Sequence, residues 1–575
     1  MRDLTCAIGI CAVGLTLQVD SAPAPSATDL ITNAGWDCVQ SARVSDGKLI
    51  LEGGAAGGGQ LNDYALRFET GPDVTIAVTL EANVEGGPAG LQFWNSVPHA
   101  GDATNWYSTA SRITLALNGG RVWMAVLDGT SSTPAFQYTG RQAGIKGPIE
   151  IAVSRVGDEL VLRADGVEAA RTKVLGPLTG GPLYFGATAA RNKTLTVHRI
   201  TVTDGAHPDG AEVVRAASAA PPPPSSNTLR AAADARGRLI GVAIGQRPLR
   251  WDAEASGIAA REFNLLSGSD TFAFKQMRPT RDQFRFCGAD QIVAFAEANK
   301  MRVHASAGLL WGELPDWLSA GNFSRDELIA ITREHIQTVV GHFKGRVHIW
   351  NVVNEVHEFN NSGALATGPD KIWMRVIGPE YIDMAFRWAH EADPQAILVF
   401  NSAGDEGTKC LVHCGPRNPP GSPNRKADAL YEFVKGMVKR GVPINAVGMQ
   451  THWGALESFP KADPASVGAQ MKRLGDLGLD VYVTEMDVPI AKPVTPQKLA
   501  DQAKTYGGML RTCLAASNCK GLVVFGTDDA NYSEPPAFAR LGSAQQGTFA
   551  APLLFDERYR PKPAYDALAA ALRGR

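Results

Sequence analysis

The chain predicts an α/β architecture in two parts, a (β/α)8 TIM barrel preceded by an antiparallel β-sandwich of jelly-roll type. Three observations carry this reading. From Arg230 onward, eight apolar, β-branched segments alternate with helical stretches. Ahead of them lies a proline run, Ala219-Ala220-Pro221-Pro222-Pro223-Pro224-Ser225-Ser226. Before that run the sequence is glycine-rich, with short segments alternating apolar and polar residues. Alternating strand and helix units wind into a parallel barrel, and eight of them close it. Short alternating strands with frequent turns pack instead as two antiparallel sheets.

The elements can be justified in chain order. Residues 1–28 read as a signal peptide: Arg2, an apolar stretch from Leu4 to Leu17, then small residues at Ser21-Ala22-Pro23-Ala24. No other stretch is long and apolar enough to cross a bilayer, so the expected product is secreted, extracellular or periplasmic. Residues 29–205 supply the sandwich, with Ile113–Leu117, Glu159–Arg163 and Leu195–Ile200 as strands. Trp94, Trp106, Tyr107 and Trp123 could form a sugar-stacking platform, but core or sheet packing is the favoured reading for any one of them. Residues 206–229 form a polyproline linker that holds its neighbours apart.

Residues 230–575 carry the barrel. Its predicted strands are Leu239–Ile244, Glu262–Leu266, Arg302–Ala305, Val347–Val353, Ala396–Phe400, Ala446–Gln450, Val481–Thr484 and Leu522–Phe525. Helical periodicity fills the gaps, as in Gln291–Ala298 and in the apolar set Leu430, Tyr431, Phe433, Val434, Met437 and Val438.

Composition bounds the chemistry. A chain of 575 residues, 44% apolar, is too long for one ordinary domain and can bury sizeable cores. Its formal charge of -2, without a Lys/Arg run, supplies no field for nucleic acid or an anionic membrane, so an uncharged substrate is expected. Of the eight cysteines, Cys6 and Cys11 leave with the signal. Cys410 with Cys414, and Cys513 with Cys519, are close enough in sequence for local disulfides in an oxidising compartment. Cys38 and Cys287 read as buried thiols. No ligand cluster points to a metal, and no cofactor is implied.

Two strings carry the chemistry. Trp350-Asn351-Val352-Val353-Asn354-Glu355 and Val481-Tyr482-Val483-Thr484-Glu485-Met486-Asp487 each set one carboxylate at the C-terminal tip of a predicted strand, where a parallel barrel keeps its reactive groups. The glutamates are 130 residues apart. At roughly forty residues per unit they end the fourth and seventh strands and face one barrel mouth. Two carboxylates on a shared cleft can divide acid and nucleophile duties on a glycosidic bond.

Across about residues 230–573 the chain resembles glycoside hydrolase family 10, the retaining endo-β-1,4-xylanases. Trp350 to Glu355 resembles the family's acid/base string, with Asn351 where Asp is usual, and Thr484-Glu485-Met486-Asp487 resembles its nucleophile string. Phe284 to Asp290, Gly441 to Asn445, Gly448-Met449-Gln450-Thr451-His452 and Pro552 to Asp556 are close to family wording. The Cys513 to Cys519 spacing resembles a disulfide the family often carries.

The resemblance implies roles. Glu355 is the acid/base and must carry a proton to donate to the leaving oxygen, while Glu485 must be ionised to attack the anomeric carbon. Asn354 holds the sugar 2-hydroxyl, and His452, two residues past Gln450, bonds Glu485 and helps keep it charged. His304 is matched to a histidine that contacts the central sugar, followed by Trp311 and Trp317; Lys275 and Asn401 are further binding candidates. The partner implied is a plant cell-wall-type polysaccharide or oligosaccharide, bound by a monomer.

The chain also departs from the family pattern. Where a Glu-Asn-x-Met-Lys run grips the non-reducing sugars, it reads Thr271-Phe272-Ala273-Phe274-Lys275. The usual strand-eight Trp is Phe525, and the Asp-Tyr after Asn401 is Ser402-Ala403. Three readings follow: an endo-acting hydrolase of xylan or a related β-1,4-linked polymer; a hydrolase with the same mechanism on another β-glycoside, such as a glucan or saponin-like glycoside; and a carbohydrate-binding protein without activity.

Overall fold

The computed structural model describes residues 227–574 apart from 313, 359, 411–420, 453–462 and 531–548. Of the front part it describes 42–52, 63–70, 74–82, 89–94, 111–128, 133–140, 144–145, 147–179, 181–189 and 194–203. The expected leader, nearly all of the linker, Trp106, Tyr107 and Cys414 lie outside the described residues.

The front part forms two antiparallel sheets. One has seven strands, ordered Ala42–Ser45, Lys48–Glu52, Thr194–Thr203, Thr75–Ala82, Ile149–Val156, Glu159–Ala164 and Val167–Thr172. The other has six, ordered Asp63–Thr70, Gly181–Ala189, Ala89–Trp94, Arg112–Asn118, Arg121–Leu127 and Phe136–Thr139. Period-two alternation sends Ile76, Val78 and Leu80 of one sheet and Leu91, Phe93, Ile113 and Leu115 of the other into a single core. Trp94 and Trp123 are buried, Trp123 against Ala116 and Ala125. They act as sheet-packing aromatics, so an exposed platform built on them is corrected.

The second part is a closed barrel of eight parallel strands. They are β1 (Leu239–Ala243), β2 (Leu265–Ser267), β3 (Arg302–Ala305), β4 (Ile349–Asn354), β5 (Ile397–Ser402), β6 (Ala446–Met449), β7 (Asp480–Met486) and β8 (Cys519–Val524). Interleaved with them run α1 (Ala253–Glu262), α2 (Cys287–Ala298), α3 (Arg325–His342), α4 (Glu380–Ala392), α5 (Arg425–Lys439), α6 (Pro464–Gly475), α7 (Pro496–Ala515) and α8 (Pro563–Arg573). Start signals in the sequence set several helix ends. Ser324 and Glu327 close a reciprocal capping box on α3, and Asp463 caps α6 immediately before Pro464.

Side chains facing inward from the strands, among them Leu265, Ile349, Val399, Tyr482 and Val523, fill the barrel as one cluster. Outward-facing Val242, Val303, Val352, Leu398, Val447 and Val481 pack beneath the helices. Each such aliphatic side chain contributes about 1.5–3 kcal/mol by leaving water. The barrel is therefore a packed block, and chemistry is confined to its rim.

Most strand boundaries differ from expectation by one to three residues, and two of the differences bear on named glutamates. The expected second strand starts at Glu262, which instead ends α1; its carboxylate accepts the Leu229 N–H at 3.1 Å and the Tyr565 hydroxyl at 2.9 Å. β7 runs on to Met486, so Glu485 lies within the strand, whereas Glu355 is the first residue beyond β4. Cys513 and Cys519 form the expected disulfide. Cys410 is also disulfide-bonded, with its expected partner Cys414 outside the described residues. Cys287 is disulfide-bonded too, which corrects its reading as a free thiol.

Candidate active site

The candidate residues come from the tips of neighbouring strands. Asn354 is the last residue of β4, Asn401 the penultimate residue of β5 and Glu485 the penultimate residue of β7. Gln450 follows β6 directly, with His452 two residues later. A register shift between Asn351 and Val353 re-aims the tip of β4. Glu355 then adopts φ +54°, a conformation uncommon outside glycine and concentrated at functional sites, with its N–H bonded to the Asn401 carbonyl at 3.2 Å.

These side chains are tied together by amides. Asn401 Nδ2 donates to Glu485 Oε1 at 2.8 Å and to Asn354 Oδ1 at 2.9 Å. Gln450 Nε2 donates to the same Asn354 oxygen and to Glu355 Oε1, each at 3.1 Å. The two glutamates are thus joined through three buried amides in one continuous network. Thr484 Oγ1 donates to Asn401 Oδ1 at 2.8 Å and so fixes which amide atom faces Glu485. A Cβ at Gly448 would collide with the Asn401 side chain, so only glycine lets this asparagine lie across the mouth.

Each carboxylate has a second partner. The indole N–H of Trp311 donates to Glu355 Oε2 at 3.0 Å. His452 Nε2 lies 3.2 Å from Glu485 Oε2, and its Nδ1 lies 3.1 Å from Asp487 Oδ1. Phe525 closes this side, edge-on to the imidazole at 5.1 Å. Beside Glu355 a recess opens, lined by Trp311, Lys371, Trp373, Met374, Tyr381 and Leu365.

Burial and neighbouring charge act in opposite directions on Glu485. Glu485 is only 8% exposed, and burial, helped by the nearby Glu355 charge, holds its carboxyl above the ordinary range. His452 and Asn401 pull in the opposite direction without cancelling that push. Burial also works against a charged His452, yet Asp487 and then Glu485 overcome it and raise the imidazole well above 6.5. Asp487, fully buried, holds the larger share of that cation. His452 therefore moderates the nucleophile candidate without fully offsetting its burial. Among the described residues, no three His, Cys, Asp or Glu side chains gather as a metal site.

The model of glycosyl hydrolase family 10 matches residues 228–571, well over half of the chain. The chain belongs to glycosyl hydrolase family 10. It is 35% identical over 317 residues to endo-1,4-beta-xylanase B of Thermotoga neapolitana, a match covering 54% of this chain and 81% of that protein. The crystal structure of native xylanase 10B from Thermotoga maritima superposes with a TM-score of 0.53 at 34% identity, covering 60% of this chain and 98% of that one. Xylanase 10B from Thermotoga petrophila RKU-1, solved in complex with xylobiose, gives 0.53 at 33% identity, over 60% and 97% of the two chains. As a member of this family the chain is a glycoside hydrolase.

Against the family pattern, the structure brings Asn354, Glu355, Asn401, Gln450, His452, Glu485, Trp311 and Phe525 to one barrel mouth. His304 is not among them. It is 1% exposed and faces the barrel interior, where its Nε2 meets Asn351 Oδ1 at 2.9 Å, so its reading as a sugar contact is corrected. The reason is register: His304 and Asn351 both point inward from adjacent parallel strands, below the rim. Lys275 lies exposed in the short helix Phe274–Met277, and no described contact ties it to the glutamates. Asp487 carries a role the sequence reading left unassigned. Its signal was present, because two residues along a strand from Glu485 is the same face.

Proposed function

We propose that this family 10 glycoside hydrolase is a secreted endo-β-1,4-xylanase that retains anomeric configuration, with Glu355 as acid/base and Glu485 as nucleophile. The observation that carries the assignment is the amide network joining both carboxylates, with the His452 imidazole bonded directly to Glu485. The His452 imidazolium favours the ionised form of Glu485 against the opposing effect of its burial. Glu355, on the opposite side of the Asn354 amide, transfers the proton.

In the first step a Glu485 oxygen attacks the anomeric carbon while Glu355 gives its proton to the departing glycosidic oxygen, leaving a covalent glycosyl ester. In the second step the Glu355 carboxylate takes a proton from water, which attacks the same carbon and frees Glu485. Asn354, whose Oδ1 is already held by two amides, presents its remaining amide donors toward the sugar 2-hydroxyl.

Family membership and the xylanases among its relatives support xylan as the polymer. One observation favours a second reading, in which another β-glycoside is the preferred substrate. Phe272 and Phe274 are buried, Phe272 against Phe343 and Trp350 and Phe274 stacked on His335 at 3.7 Å. The segment that would carry the family's polar clamp is here part of the core.

Export is supported by the N-terminal apolar stretch together with the Cys513–Cys519 disulfide. The front sandwich we assign to polymer attachment, because the family match begins only at residue 228.

Release of reducing ends from xylans, glucans and aryl β-glycosides, with wild type beside Glu355→Gln and Glu485→Gln, tests the assignment. Turnover of xylan that both substitutions abolish is expected, with the retained anomer first in a proton NMR time course. Activity on glucosides but not xylan would transfer the assignment to the second reading, and appearance of the inverted anomer first would end the mechanism. Deleting residues 1–228 should leave turnover of soluble substrate nearly unchanged.

A further inference from the structure

β5 and β6 run side by side as far as the pair Ser402 and Met449, and the Gln450 N–H still finds the Ser402 carbonyl at 3.1 Å. One residue later the chain beyond β5 has turned away, and the Thr451 N–H is taken by a side chain. Glu406 Oε1 accepts it at 3.2 Å and also accepts the Gly404 N–H at 3.0 Å. Glu406 is 2% exposed, so this carboxylate is built into the end of the ladder. Thr451 itself has φ +61°, a genuine outlier for a β-branched residue, and such a conformation persists only where its surroundings over-determine it.

Thr451 sits between two residues of the network. Gln450 before it grips Glu355 and Asn354, and His452 after it faces Glu485. We infer that Glu406 is a positioning residue for both catalytic carboxylates: by holding the Thr451 N–H it fixes the backbone from which the Gln450 amide and the His452 imidazole are aimed. It touches neither glutamate and makes no contact with substrate in this role. The inference rests on the assignment of Glu355 and Glu485 made above.

The test compares Glu406→Ala and Glu406→Gln in the full chain, using a nitrophenyl β-xylobioside as probe, with kcat, KM, the pH profile of kcat/KM and a thermal melt for each. Glutamine keeps an oxygen acceptor at the same reach. Alanine removes it. Since misplacing a reacting group by about 1 Å costs about 10²-fold, we expect Glu406→Ala to lose about 10²-fold in kcat while KM moves less than about threefold. Its acidic limb should also rise, because His452 is no longer held against Glu485. Glu406→Gln should recover kcat to within about threefold of wild type, with its limbs in place.

Should the alanine variant not fold, Glu406→Met, which keeps the length and drops the acceptor, takes its place with the same expectation. If neither folds, the glutamine variant decides alone. An acidic limb displaced by more than about half a unit, or a loss as large as the one expected for alanine, overturns the inference. A folded alanine or methionine variant with near-wild-type kcat overturns it too. Glu355→Gln and Glu485→Gln run alongside keep the two claims separate. An inactive wild type, or an active Glu485→Gln, defeats the assignment of the glutamates, whereas an active wild type with an indifferent Glu406→Ala defeats the positioning role alone.

Discussion

Replacing His452 with Phe removes a hydrogen bond and a positive charge from Glu485 in one step. That charge sits 3.2 Å from Oε2, where at an effective dielectric of about 20 a unit charge interacts by about 5 kcal/mol. The imidazolium is shared with Asp487 at 3.1 Å, so Glu485 receives only part of this. An opposite charge at such range ordinarily lowers a carboxylate by about 1–3 pH units, and about two are expected to be lost here. The sign follows from the mechanism. In the proposed mechanism Glu485 must be ionised to attack, its carboxyl is already raised by burial, and removing the cation raises it further.

The acidic limb of kcat/KM should therefore move up by about two units, and below it the rate should fall about tenfold per unit. His452→Gln, which keeps an N–H donor without the charge, should shift it about half as far. The assay is kcat/KM on a soluble aryl β-xylobioside from about pH 4 to pH 9, with circular dichroism to establish folding. Because Glu485 and His452 interact at this range, the limb belongs to the pair. A folded His452→Phe protein whose limb lies within about 0.3 unit of wild type would refute the reasoning.

Other consequences can be measured separately. His452 holds its proton more tightly folded than unfolded, so this contribution to stability is fully present below about pH 6.5 and is lost as pH rises through its folded value; melting temperatures should fall on the alkaline side more for wild type than for His452→Phe. Asn401→Ala should lower kcat about 10²–10³-fold, as loss of a preorganised donor does. Urea unfolding should show the same variant less stable by about 1–3 kcal/mol, since the buried Thr484 hydroxyl loses its partner and Asn354 Oδ1 loses one of its two donors. Trp311→Phe keeps an aromatic ring and removes the donor to Glu355 Oε2, so turnover should fall about tenfold with poor leaving groups and much less with activated ones, read from a series of aryl glycosides.

The barrel, and the two candidate carboxylates at its mouth, were readable in the linear chain because their signals are local. Apolar, β-branched segments at regular spacing dictate strand and helix in turn, and chemistry gathers at strand tips, so Glu355 and Glu485 could be picked out without coordinates. The paired cysteines at 513 and 519 are as local as a signal can be.

What the tertiary structure decided concerns partners far apart in sequence. Asn401 reaches Glu485 across 84 positions and Gln450 reaches Glu355 across 95, contacts that exist only once strand register around the closed barrel is set. His304 shows the same rule from the other side. By resemblance it is matched to a sugar contact, but an inward pleat position below the rim binds it to Asn351. The positive φ of Glu355 and of Thr451 is likewise imposed by neighbouring strands, since neither residue favours it alone. Local pattern determines which residues stand at a strand tip; the closure of the barrel determines which of them meet.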